Sequence, residues 1–86
     1  MQGALGVFLM PDRLIELFAE EFSVDSSTLS DESTPDTVEA WDSLASMRLV
    51  AAIEETFDVH LSTGEIMKMQ TIGIARSVLQ KKNVDV

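Results

Sequence analysis

A serine hydroxyl stands at the head of the chain's most apolar helical run, in the order Trp41-Asp42-Ser43-Leu44. Asp42 is a good helix N-cap, which puts Ser43 in the first turn with its hydroxyl near the surface. First-turn N–H groups lack partners inside the helix, and the helix dipole is positive there. A phosphodiester on Ser43 would sit in a favourable field. Asp-Ser before an apolar run is also an ordinary helix start, so the tetrapeptide alone leaves both readings open.

Little else in the chain suggests chemistry. There is no cysteine, one histidine and no glycine-rich phosphate loop. No catalytic constellation can be assembled from this set, so an enzyme is not expected. His60 reads as a surface or packing residue. Asp25 to Asp36 is rich in side-chain oxygen but lacks the alternating ligands and central glycine of an EF-hand loop. An acidic calcium-binding interaction module is the more distant alternative, and no metal site is expected. Met47, Met67 and Met69 stand at helical spacing and read as core, with an adaptable apolar cavity as the other possibility. Trp41 is expected to pack the preceding loop over the helices.

The composition narrows the partners. The chain has 86 residues, enough for one domain, and a net charge of -9. Residues 1–61 hold thirteen acids and only two bases, Arg13 and Arg48. Nucleic-acid binding is not expected, because phosphate contacts need clustered Lys and Arg. Partners with basic docking patches fit better. No apolar run approaches the roughly 20 residues needed to span a bilayer, and residues 1–9 lack the basic start of a signal peptide. The expectation is a cytoplasmic monomer with no membrane insertion. Residues 1–9 carry no periodic pattern and are expected to be a loosely ordered extension. The domain proper is placed at 10–83, and 84–86 is read as a tail.

Four helices are expected. Pro11 suits a first turn. From Asp12 to Phe22, Leu14, Leu17, Phe18 and Phe22 make an apolar stripe. Residues 24–40, with Pro35, read as a long polar loop anchored by Leu29 and Val38. A second helix runs from about Ser43 to Thr56, with Leu44, Met47, Val50, Ile53 and Phe57 as its stripe and Leu49 flanking it. Ser62 or Thr63 caps a short third helix ending near Met69. Thr71 caps a fourth, reaching about Lys82, with Ile74, Val78 and Leu79 facing the core.

The segment from Asp42-Ser43-Leu44 through Glu54-Glu55 and Phe57 resembles the second helix of acyl carrier proteins, and the likeness extends over about Pro11 to Lys82. The resemblance implies an all-α four-helix bundle with a short third helix and a long loop between helices one and two. It implies 4'-phosphopantetheine, donated by coenzyme A and attached at Ser43, flanked by Asp42 and Leu44. The arm's thiol would hold an acyl intermediate as a thioester for a fatty-acid, polyketide or other specialised acyl pathway. The implied partners are a phosphopantetheinyl transferase and acyl-loading and acyl-processing enzymes. They would dock on Leu44, Ala45, Met47, Arg48, Ala51, Glu54 and Glu55. Many members have a small residue where Trp41 stands, and acids at the positions of Ala45 and Arg48. This chain therefore looks like a dedicated carrier. A peptidyl or aminoacyl carrier is the alternative, although such carriers usually show glycine-rich residues before the serine, where this chain has Asp42.

Overall fold

A computed structural model describes residues 12–86; the expectations for residues 1–9, and for Pro11, lie outside these residues. Among the described residues there are four α-helices and no strand: α1 (Arg13–Phe22), α2 (Ser43–Phe57), α3 (Thr63–Lys68) and α4 (Ile72–Lys81). A single 3₁₀ turn, Ser26–Thr28, stands in the long loop between α1 and α2.

Each helix begins at a side-chain oxygen that replaces a missing backbone partner. Asp12 accepts from the Ile15 N–H at 3.1 Å, and Asp42 from the Ala45 N–H at 2.8 Å. Ser62 and Glu65 form a reciprocal capping box on α3, and Thr71 caps α4. α1 and α2 end on left-handed residues, Ser23 and Asp58, with φ of 57° and 53°. Both are short polar side chains, and aspartate in particular tolerates this conformation.

The core is one cluster. Leu14, Leu17, Phe18 and Phe22 of α1 meet Ala45, Leu49 and Ile53 of α2, and Ile72, Ala75 and Leu79 of α4. Val38 and Trp41 enter it from the loop, Leu61 from the α2–α3 connection, and Met69 from the end of α3. Leu29 packs against its edge, as do Val84 and Val86 beyond α4.

The apolar stripes of α2 and α4 differ from those expected. In α2 the buried residues are Ala45, Leu49 and Ile53, spaced by four. Leu44 is 64% exposed and Met47 71% exposed, so neither is core. Met67 is also exposed, and of the three methionines only Met69 is buried. In α4 the buried face is Ile72, Ala75 and Leu79, while Ile74 is exposed and Val78 half-buried. The physical reason is shared. Both helices carry more apolar residues than one face can hold, so those turned to the shared core are buried and the rest are left at the surface. Ala45, expected on an exposed docking face, is 1% exposed.

The polar loop is used up on itself and on α4. Asp25 accepts from the Ser27 N–H, Ser33 Oγ from the Ser30 N–H, and Thr37 Oγ1 from the Thr34 N–H. The loop carbonyls of Asp31 and Ser33 accept the first-turn N–H groups of Gly73 and Ile72, at 2.9 and 3.3 Å. Gly73 allows this close approach: a Cβ there would stand 3.1 Å from the Asp31 carbonyl oxygen, a tight contact that the loop would have to yield to. Arg76 of α4 completes the join: it donates to the Asp31 carboxylate at 2.8 Å and to Asp12 at 2.7 Å. Partial burial disfavours charge on Asp12. Hydrogen bonds from Arg76 and the Ile15 N–H outweigh it and hold the carboxyl below its ordinary 3.8.

Two outcomes follow for stability. Arg76→Ala should lower the unfolding free energy by about 1–2 kcal/mol, since its charged partners are half exposed. Because Asp12 titrates lower in the folded state, its contribution is present above pH 3.8 and is lost as the pH falls through the folded value. Urea melts of wild type and Arg76→Ala should therefore converge in acid. Ala45→Glu places an unpaired carboxylate in the core and should cost about 3 kcal/mol or more, read as a lowered thermal midpoint. A surface position would show almost no change.

Candidate functional site

The site is built around the junction of the loop with α2. Trp41 is 4% exposed. Its ring centroid lies 5.4 Å from those of Phe18 and Phe22, edge-on to the first and tilted to the second. Such aromatic contacts add about 0.5–1.5 kcal/mol each beyond burial alone. The indole N–H donates to Ser46 Oγ at 3.0 Å, so the ring is fixed to α2 as well as to α1. This settles the expected packing role of Trp41.

With Trp41 pinned, Asp42 and Ser43 emerge at the surface. Asp42 Oδ1 turns inward to the Ala45 N–H, while the Ser46 N–H bonds the Asp42 carbonyl at 2.9 Å. The N–H groups of Ser43 and Leu44 have no acceptor among the described residues. Ser43 is the first residue of α2 and is exposed. An exposed primary hydroxyl beside two free amides can take a phosphodiester without displacing any side chain, and the helix end favours its negative charge. The residues present therefore fit a phosphate-linked group on Ser43.

Leu44, Met47, Arg48, Ala51 and Glu55 lie together on the exposed side of α2. Arg48 Nε stands 3.9 Å from Glu21 of α1, with the Arg48 side chain half exposed. Glu54 is not part of this face in the same way. Its carboxylate accepts the Leu61 N–H at 2.8 Å and lies 3.5 Å from His60 Nδ1, which ties down the α2–α3 connection. Ala45 is in the core. His60 itself is 93% exposed.

A cleft of about 180 Å³ opens between the loop, α2 and α3, lined by Pro35, Trp41, Ser46, Leu49, Val50, Ile66, Met69 and Gln70. Ser46 is the residue that sequence reasoning overlooked. Its spacing of three from Ser43 was the available signal, since it places both on neighbouring turns. Among the described residues no group of three His, Cys, Asp or Glu side chains is placed to hold a metal ion. Two acids of the loop serve the fold: Asp25 caps the 3₁₀ turn and Asp31 pairs with Arg76.

The phosphopantetheine attachment site family matches residues 12–73, most of the chain. The solution structure of a holo acyl carrier protein from Geobacter metallireducens is similar over 83% of this chain and 82% of that one. Sequence identity is 31% and the TM-score 0.75. An all-helical bundle, an exposed serine at the head of α2 and these two matches converge, and the chain belongs to the phosphopantetheine-bearing acyl carrier protein family.

Proposed function

We propose that the protein carries an acyl intermediate on a 4'-phosphopantetheine arm at Ser43 and presents it to a dedicated set of acyl-processing enzymes. The observation that carries this reading is Ser43 itself: exposed, first in α2, and beside amides with no other acceptor. In the transfer, Ser43 Oγ bonds to the phosphorus next to pantetheine, the pyrophosphate bond of coenzyme A breaks, adenosine 3',5'-bisphosphate leaves with the bridging oxygen, and the hydroxyl proton passes to a base of the transferase. A separate transferase catalyses this step, and the bound arm supplies the thiol that holds the acyl group as a thioester. The chain's own residues do no bond-making on the cargo. Asp42 and Trp41 hold Ser43 at the surface. Tethering raises the cargo's effective concentration at a docked enzyme.

Leu44 and Met47 offer apolar contact beside the arm, and Arg48, Ala51 and Glu55 extend the same side of α2. Arg48 sets the charge of this face. A partner shaped for carriers with an acid there would bring a base against it, and like charges select against wrong partners. Charges at the rim of an interface act chiefly on association rate. With Glu54 engaged at Leu61 and Ala45 buried, the recognition surface narrows to Leu44, Met47, Arg48, Ala51 and Glu55.

Incubation with coenzyme A and a broad-specificity transferase should raise the intact mass by one phosphopantetheinyl group. Ser43→Ala should abolish the gain while leaving the circular dichroism unchanged; modification of that variant would overturn the assignment. Arg48→Glu should speed turnover by general fatty-acid enzymes up to about tenfold at low salt and slow the dedicated partner. Added salt should shrink both effects. Equal rates for the two proteins at low salt would make Arg48 a plain surface residue.

A further inference from the structure

We propose that Met47 is a reversible oxidation site, and that its sulfoxide slows transfer of the arm to Ser43. The proposal rests on the reading that Ser43 takes the arm, and adds a regulation of that site.

Exposure selects the sulfur. The chain has no cysteine, so before the arm is attached its methionines hold all of its sulfur. Among the described residues, Met47 is 71% exposed and Met67 70%, whereas Met69 is 8% exposed and belongs to the core. A peroxide has to reach a sulfur to oxidise it, so Met47 and Met67 are open and Met69 is shielded.

Position separates the two open sulfurs. Met47 stands four residues after Ser43, one turn farther along the same side of α2, with exposed Leu44 between them. Helical methionines lean toward the helix N-terminus, so the Met47 thioether covers the turn that carries Ser43. Met67 belongs to α3 and supplies the comparison.

Hydrogen peroxide supplies the oxygen. The Met47 sulfur attacks one peroxide oxygen, an S–O bond forms as the O–O bond breaks, and the other oxygen leaves as water. The sulfur is oxidised by two electrons and the peroxide is reduced by them. The product is a polar, chiral sulfoxide. Burying it against the transferase strands a polar oxygen where an apolar contact stood. That oxygen also brings partial negative charge over the turn where a phosphodiester must arrive, against the field of the helix end. The fold is spared, because Ala45, Leu49 and Ile53 fill the inner face of α2. Methionine sulfoxide reductases return the thioether, which makes the change reversible.

The test treats the full chain, before attachment of the arm, with limiting hydrogen peroxide. The peroxide is then removed and peptide masses locate the added oxygen. Met47 and Met67 should gain it several-fold faster than Met69. Transfer from coenzyme A by the broad-specificity transferase should fall about tenfold in kcat/KM, chiefly through a raised KM, as expected for a lost docking contact. The thermal midpoint should not move. Met47→Leu, judged against its own untreated form, should lose almost nothing on peroxide treatment. Met67→Leu should lose as much as wild type, and reductase treatment should restore the wild-type rate. Equal rates before and after oxidation, a loss that persists in Met47→Leu, or oxidation of Met69 as fast as Met47 would overturn the proposal while leaving attachment at Ser43 intact. Failure of the untreated protein to take the arm would overturn both.

Discussion

The placement of Trp41 is the constraint on which the remaining geometry rests. One ring is held by two phenylalanines of α1 and by one hydroxyl of α2. It therefore fixes the end of a long loop and the start of the second helix together. A loop of this length has a closure entropy that grows slowly with length, but its end could otherwise take many positions. Burial of a tryptophan, at about 3–5 kcal/mol when truncated to alanine, is large against the total stability of a small domain. Ser43, two residues on, inherits its position from that burial.

The loop is held at its middle by different physics. There the apolar content is too low for packing to decide, and the backbone is satisfied by serine, threonine and aspartate side chains. Asp31 and Ser33 give their carbonyls to the first turn of α4, and Arg76 reaches back to Asp31 and to the cap of α1. Three separate pieces of chain meet at one guanidinium. Its planar, always-charged fork suits two carboxylates at once in a way that a lysine could not reproduce. The scaffold thus has an aromatic clamp beside Ser43 and an ionic clamp on the loop's other attachment.

The helices and their caps were legible because they depend on local chemistry. Asp42, Ser62 and Thr71 precede apolar runs, and capping needs only the adjacent backbone. The facing of each helix was not legible to the same degree. Leu44 and Met47 are as apolar as Leu49 and Ile53, and periodicity alone cannot say which set is turned inward. That choice depends on what stands opposite. Here Ala45, Leu49 and Ile53 face the shared core, and Leu44 and Met47 are left to solvent. Likewise, Ile74 and Ile72 are chemically identical, yet the second is buried under the loop and the first is exposed. Long-range polar pairs such as Arg76 with Asp31, forty-five residues apart, leave no local signature at all. The position of Ser43 was legible because it needs only a cap and a helix start, whereas the cleft beside it needs Trp41, Ser46 and Gln70 in three dimensions.

The exposed apolar pair Leu44 and Met47 acquires its meaning from this geometry. Single exposed hydrophobics need no explanation, but these two flank the serine on a helix whose core face is already full. In the proposed carrier role, Leu44 and Met47 would supply apolar contact beside the arm, and the charges farther along α2 would select the partner. The most direct measurement is fragmentation of the intact holo protein in the mass spectrometer, locating the added group along the backbone. Attachment at Ser43 requires the added mass to fall between Asp42 and Leu44; its appearance on Ser46, or on any serine of the loop, would contradict it.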